Sequence, residues 1–220
     1  MRRTAPPRRR ESQTQIHALP ELAARLLVEG SAQGLASAKR KACSTLGVRS
    51  LPDNLAVLAA LIDYQRLFDG PALDTRNTQL RTAACNAMRK FSAFDPRLVG
   101  PVLYGTTLRD TSVTLHLFAD ECESVTRFLL ENRIPFELSD TGVRITRHAT
   151  TACPLLRLSR DDIEYALVVF PHQHLRQAPM SSLTGGPCLR ANLAQLEAML
   201  ALDPGGVWIT AAGRLKSTFN

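Results

Sequence analysis

Aromatic residues are scarce in this chain of 220 residues, since Phe, Tyr and Trp together make up only 5% of it. They are not interleaved with basic residues, which disfavours a surface for stacking single-stranded bases. No stretch approaches the ~20 uninterrupted apolar residues of a transmembrane helix, so we expect no membrane partner. The phosphate-binding P-loop, the G-x-G-x-x-G dinucleotide loop and the G-x-S-x-G nucleophile elbow are all missing. These absences disfavour the commonest nucleotide-binding folds and the serine hydrolases that use a nucleophile elbow.

The cysteines are few and scattered. There are five, an odd number, and no two of them form a C-x-x-C pair; they are Cys43, Cys85, Cys122, Cys153 and Cys188. This pattern is typical neither of a disulfide framework nor of a zinc site. Reduced thiols point to a cytoplasmic protein.

Positive charge is concentrated at the start of the chain. Residues 1–50 contain ten Lys or Arg and three Glu, whereas the remaining 17 basic and 17 acidic residues cancel. Residues 1–18, with Arg8, Arg9 and Arg10, lack hydrophobic periodicity and are predicted to form a flexible arm. The charge indicates a polyanion, such as nucleic acid, or an acidic surface as partner. A solvated tail that only aids solubility is an equal alternative.

Residues 19–70 are predicted to form a helical module of three helices. Leu19-Pro20-Glu21 is expected to open the first helix, and Gly47 to stop the second. The basic triplet Lys39, Arg40 and Lys41 lies on the second helix, where it could contact phosphates in a helix-turn-helix arrangement. The alternative is a helical cap on the main domain.

A second domain is predicted over residues 76–220, after a linker at 71–75. A helix face from Thr78 to Phe91 is followed by an apolar strand at 98–104 and then by Gly105-Thr106-Thr107. An alternating strand comes next at 112–118. Asp120 to Glu123 matches a capping box for another helix. Further strands are predicted up to Phe170, and an amphipathic helix is predicted over 189–202.

This order of helix, strand, Gly-Thr turn, strand and helix over residues 76–171 resembles the core of the nucleotidyltransferase superfamily. The resemblance implies an α+β fold, with a mixed sheet flanked by helices. It also implies transfer of a nucleoside monophosphate from an NTP to an acceptor, with Mg²⁺ or Mn²⁺ as cofactor. In such enzymes the small residues after the first strand let backbone amides approach phosphate, so Gly105, Thr106 and Thr107 are the expected phosphate-binding residues.

The same resemblance places paired metal-binding acids two residues apart on the second strand, where side chains share a face. Here Thr114 and His116 occupy those positions, so the metal site is degenerate. Glu164 stands in the place of the third acid, and Asp110 and Asp120 could supplement it. The catalytic and metal candidates are therefore Glu164, Asp120, Asp110 and His116. Their alternatives are ordinary: a loop acid at 110, a helix cap at 120 and an exposed strand residue at 164.

The remaining polar motifs are weaker. His172-x-His174 lacks further ligands and is expected to be a polar exit from the preceding strand. Arg176 and the loop at 181–187 either bind an anion or only connect two elements. The sequence thus leaves two functions open: nucleotidyl transfer at a rearranged site, or non-catalytic binding of nucleotide or nucleic acid. It does not predict the oligomeric state.

Overall fold

The computed structural model describes residues 13–146, 149–210 and 212–216, which form two compact units that divide between Tyr64 and Gln65. The predicted contacts of Arg8, Arg9 and Arg10 lie outside the described residues. None of the helices in the described ranges is both long enough and apolar enough to cross a membrane.

The first unit contains helices α1 (Gln13–Val28) and α2 (Leu35–Leu46) and the beginning of α3 (Asn54–Lys90). The predicted start of the first helix is wrong, because α1 begins six residues before Leu19 and contains Pro20 in its interior. Proline removes one backbone hydrogen bond there. Burial of Leu19 and Ala23 on the same helix offsets that loss. Gly47 does stop α2, in the left-handed conformation at φ 68°.

Helix α3 runs without interruption from Asn54 to Lys90, so the predicted linker at 71–75 is wrong. Pro71 lacks an N–H, but side chains on both sides hold the helix together across it. Asp69 accepts a hydrogen bond from Arg76 at 2.8 Å, which spans the turn that contains the proline. Leu73 is 2% exposed. The Asp69–Arg76 contact within the helix and the burial of Leu73 outweigh the local preference of proline for a break.

The second unit is built on a mixed sheet of five strands, which confirms the α+β class. In chain order the strands are β1 (Arg97–Val99), β2 (Val113–Phe118), β3 (Glu137–Arg144), β4 (Thr150–Arg160) and β5 (Ile163–Phe170). Their order across the sheet is β1-β2-β5-β4-β3. The central pair β2 and β5 is parallel, and every other neighbouring pair is antiparallel. Helix α5 (Cys122–Glu131) makes the connection after β2.

The first predicted strand is shorter than expected. β1 ends at Val99, and Pro101 opens a short helix, α4 (Pro101–Tyr104), after Gly100 turns the chain at φ 76°. Proline at the first helical position loses no hydrogen bond, because that N–H has no partner inside the helix. The Gly-Thr-Thr turn therefore follows a helix instead of a strand.

Register defines one face of the sheet, which we call the His116 face. It carries Thr114, His116 and Phe118 on β2, because these alternate residues point to the same side. Their partners on β5 and β1 point the same way; they are Ala166, Val168, Phe170, Val99 and Arg97. At the Phe118 end this face forms a buried apolar cluster with Cys153 and Leu155 of β4.

The last helix, α6 (Leu193–Leu202), begins four residues later than the predicted start at 189. The preceding residues pair with β1 instead, since Ala191 and Leu98 exchange backbone hydrogen bonds of 2.8 and 3.0 Å. Asn192 then caps the helix. Its side chain accepts from the Gln195 N–H, and the Gln195 side chain accepts from the Asn192 N–H, each at 2.9 Å.

We expect Asn192→Ala to lower the free energy of unfolding by about 1 kcal/mol, because the Gln195 N–H in the first turn of α6 loses its side-chain acceptor. Urea denaturation followed by fluorescence of Trp208, the single tryptophan, measures this. Asn86→Ala, at an exposed position inside α3, is the matched control and should leave the midpoint unchanged. Equal midpoints for Asn192→Ala and wild type would contradict the capping role.

Candidate functional site

The first two amides of the Gly105-Thr106-Thr107 turn form hydrogen bonds with the preceding helix, α4. Gly105 adopts φ 79°, and the N–H groups of Gly105 and Thr106 both donate to the carbonyl of Pro101, at 2.8 and 3.1 Å. A Cβ on Gly105 would lie against the carbonyl oxygen of Gly206. Glycine is required here for backbone packing, and two of the amides expected to hold phosphate already have partners.

Side chains of α3 seal the same turn from the other side. Asn77 is fully buried, and its amide donates to the carbonyls of Gly105 and Gly205, at 3.0 and 2.7 Å. The Thr107 hydroxyl donates to Asn77 Oδ1 at 2.6 Å. Gln65 donates to the Thr107 carbonyl at 2.8 Å. With Thr106 and Thr107 only 4% and 0% exposed, this geometry does not support the phosphate-binding role predicted for the turn.

Arg81 extends this network and is the largest polar side chain with no exposed surface. Its guanidinium donates to three carbonyls, those of Val102 at 3.0 Å, Leu103 at 3.2 Å and Pro204 at 2.7 Å. Burial lowers the pKa of Arg81 to about 10, while the charges of Asp203 and Asp74 oppose that shift. Arg81 therefore stays charged at neutral pH and joins α3, α4 and the loop after α6.

The predicted acids are not brought together. Glu164 is exposed at the start of β5, whereas Asp120 follows the end of β2. Because β2 and β5 are parallel, with Val113 beside Tyr165 and Phe118 beside Phe170, the two acids lie at opposite ends of the sheet. Eight residues of strand separate their levels, which is roughly 25 Å. Asp110 is exposed in the loop before β2.

Asp120 has a local role that differs from the predicted helix cap. The N-cap of α5 is Glu121, and it makes no side-chain cap bond. Asp120 instead accepts a hydrogen bond from the backbone N–H of His172 at 3.1 Å. Its carboxylate also lies 3.4 Å from His172 Nδ1. This contact fastens the turn that follows β5 to the end of β2.

His116 belongs to the core and does not stand in an open cleft. It is 7% exposed and packs on Phe170, with ring centroids 4.7 Å apart. Burial, helped by the positive charge of Arg190, lowers its pKa to about 3. The imidazole is therefore neutral, and its Nδ1 has no hydrogen-bond partner within the described residues. Thr114, two residues earlier on the same face of β2, is half-buried.

These donors do not fit Mg²⁺ or Mn²⁺. Both ions prefer carboxylate and carbonyl oxygens, and the strand positions of the usual acids hold a hydroxyl and an imidazole. In the described part of the chain, no three His, Cys, Asp or Glu side chains are grouped so that they could share an ion. The metal expected from the resemblance has no suitable site at Glu164 and Asp120.

The polar residues predicted around Arg176 follow the end of β5, whereas Glu164 lies at its start. Arg176 is exposed at the end of the 3₁₀ turn His172–Leu175. The loop that follows is held by its own bonds: the Ser181 hydroxyl oxygen accepts from the N–H groups of Leu183 and Thr184. His174 Nδ1 is buried and has no partner among the described residues. The anion-binding alternative for Arg176 stays a prediction.

Sequence reasoning missed three residues that organise this region: Asn77, Arg81 and Arg190. Asn77 and Arg81 are four residues apart and lie on the helix face that also buries Leu73, Leu80 and Ala84. The sequence does carry a signal for these two residues, because they are polar side chains on an otherwise apolar helix face. Arg190 has no such signal, since only the fold places its guanidinium over the Phe118 ring, 5.6 Å from the centroid.

In the first unit, the three basic residues of α2 differ in their burial and in their hydrogen bonds. Lys39 is half-buried and donates to Asn54 Oδ1 at 2.7 Å. Lys41 is exposed and donates to the carbonyl of Ser31 at 3.0 Å. Arg40 is exposed and makes no hydrogen bond or ion pair within the described residues.

No model of a known protein family matches the chain, and no curated protein is detectably similar to it. The assignment of a function therefore rests on the geometry of the chain itself.

We expect Arg81→Met to lower the free energy of unfolding of the second unit by about 3 kcal/mol or more. Three buried carbonyls lose their donor, and each unsatisfied group costs about 1–3 kcal/mol. Chemical denaturation followed by Trp208 fluorescence measures the loss. The control is Arg127→Met at an exposed position of α5, which should have little effect. A small effect at both positions would show that the network is dispensable.

We also expect His116 to make the second unit sensitive to acid. The unfolded chain binds a proton at this imidazole near pH ~6.5, whereas the folded chain does so only at about 3. Stability is therefore present above pH ~6.5 and is lost as the pH falls towards 3, by up to about 1.4 kcal/mol per pH unit. In His116→Phe this contribution should disappear. Urea midpoints between pH 7 and pH 4 test this, and parallel curves for both proteins would refute it.

Proposed function

We propose that this protein binds nucleic acid through phosphate contacts made by its basic N-terminal region, and that the nucleotidyltransferase-like sheet is a non-catalytic scaffold. The observation that carries this proposal is the charge distribution, with a net +7 in residues 1–50 and zero in the rest. A cluster of positive charge in one region is the electrostatic footprint of polyanion binding.

The outer face of α2 supports this role. Successive helical residues are about 100° apart, so Ser37, Arg40, Lys41 and Ser44 lie on the side that faces away from the buried Ala38, Ala42 and Cys43. Arg40, Lys41 and Ser44 are exposed. The ammonium of Lys41 has three donors and uses one on Ser31, which leaves two for phosphate oxygens. Basic and hydroxyl side chains together are the usual donors to a phosphate backbone.

The geometry of the sheet favours a scaffold over an enzyme. Glu164 and Asp120 are too far apart to hold one metal ion. The Gly-Thr-Thr turn forms hydrogen bonds with the side chain of Asn77 on α3. All five cysteines are free thiols, which supports a cytoplasmic location.

The test is fluorescence anisotropy with the full-length protein and two labelled probes, a single-stranded RNA and a DNA duplex. Affinity should fall steeply between about 50 and 200 mM salt, because phosphate contacts release counterions. The double variant Arg40→Glu, Lys41→Glu should bind about tenfold or more weakly, as expected when two charge-assisted contacts become repulsive.

The matched control changes net charge equally on the second unit, with Arg127→Glu and Arg160→Glu at exposed positions. It should retain most of the affinity. Equal losses in both double variants would show that only net charge matters, and the absence of binding at 50 mM salt would refute the proposal.

A further inference from the structure

The His116 face brings together two cationic side chains, Arg97 and Arg190, and the neutral imidazole of His116. Arg97 on β1 lies directly opposite His116 on β2, at a distance where paired Cβ atoms are about 5 Å apart. Arg190 lies over Phe118, two residues further along the same face. These three residues come from β1, β2 and the segment before α6, so only the fold assembles them.

No acid among the described residues neutralises this cluster. Neither Arg97 nor Arg190 forms an ion pair within the described ranges, and each is held only by carbonyls. Arg190 donates to the carbonyls of His174 and Leu175, both at 3.0 Å. Arg97 donates through Nη1 to the carbonyls of Asp95 and Pro96, both at 2.9 Å. A guanidinium has five N–H donors, so these bonds leave three on each arginine.

The electrostatic environment agrees with this absence of acids. Burial lowers the pKa of Arg190, and the nearby positive charge of Arg97 lowers it further, while only the Cys188 thiol acts in the other direction. Two half-buried arginines with like charge repel one another unless an anion lies between them.

A second observation points to a ligand. His116 is more than nine-tenths buried, yet its Nδ1 has no hydrogen-bond partner in the described structure. His174 Nδ1 is also buried without one, and its ring lies 6.0 Å from the Phe170 ring that His116 contacts. Buried polar atoms nearly always have partners, and unsatisfied ones call for an explanation. An oxyanion would supply acceptors for the donors of the arginines and of a histidine.

We propose that Arg97, Arg190 and His116 form a binding site for a phosphoryl oxyanion, and that the site needs no metal ion. Guanidinium groups fit the oxygens of a phosphate in paired, charge-assisted hydrogen bonds. His116 can donate one N–H as a neutral imidazole. This site is separate from the basic face of α2, and it does not depend on nucleic-acid binding there.

The experiment is isothermal titration of the full-length protein with inorganic phosphate, pyrophosphate and ATP, each in EDTA and at constant ionic strength. Sodium chloride and sodium acetate are the control titrants. NMR detection of the His116 ring signals during the same titrations places the ligand. We expect saturable binding of at least one phosphoryl compound, with shifts at His116.

Two variants remove donors, Arg97→Gln and Arg190→Gln, and each should weaken binding about tenfold or more, the effect of one charge-assisted hydrogen bond. Arg97 lies at the edge strand, so its variant keeps the test decisive if Arg190→Gln fails to fold. Arg160→Gln and Arg127→Gln, both at exposed positions outside the cluster, are the matched controls and should bind as wild type does.

The source of the phosphoryl group follows from the ranking of the titrants. Tighter binding of ATP than of pyrophosphate would identify a nucleotide, and the reverse would identify an inorganic or non-nucleotide phosphate. Absence of saturable binding by all three would overturn the proposal. So would equal affinity in the Arg97→Gln and control proteins, or saturation without any change at His116.

Discussion

The buried polar network of α3 is the interaction on which the second unit depends. Asn77 and Arg81 each present donors to backbone carbonyls that would otherwise be buried without partners, in α4, in the turn at Gly105 and in the loop after α6. Buried carbonyls without donors are costly. A single helix face therefore fixes the positions of three segments that lie far apart in the sequence.

This network also explains what the Gly-Thr-Thr turn does. A turn of small residues after a strand is a good place for phosphate only if its amides point outward. Here the Gly105 and Thr106 amides close on Pro101, and Thr107 faces Asn77. The same residue types that suit a ligand also suit close packing between backbones, because glycine and threonine are small. Tertiary contacts decide between the two uses.

The two groups of basic residues in this protein have different origins. The basic excess of residues 1–50 is a property of composition, and it survives any arrangement of the helices. The cluster of Arg97, Arg190 and His116 exists only because β1, β2 and the segment before α6 meet on one face of the sheet. A neutral, buried His116 beside two arginines that form no ion pair in the described structure is the reverse of the acidic arrangement that a metal-dependent site requires.

The sequence by itself determined the order of helices and strands behind the α+β class, the strand predicted at 112–118 and found at 113–118, the stop of α2 at Gly47 and the uneven charge. Each depends on local periodicity, on backbone preferences or on simple composition. The tertiary structure decided the continuity of α3 through Pro71, the separation of Glu164 from Asp120 and the partners of Arg81. Burial and hydrogen bonds between distant segments outweigh local propensity at those points. Strand direction, which local patterns do not encode, sets the distance between the two acids.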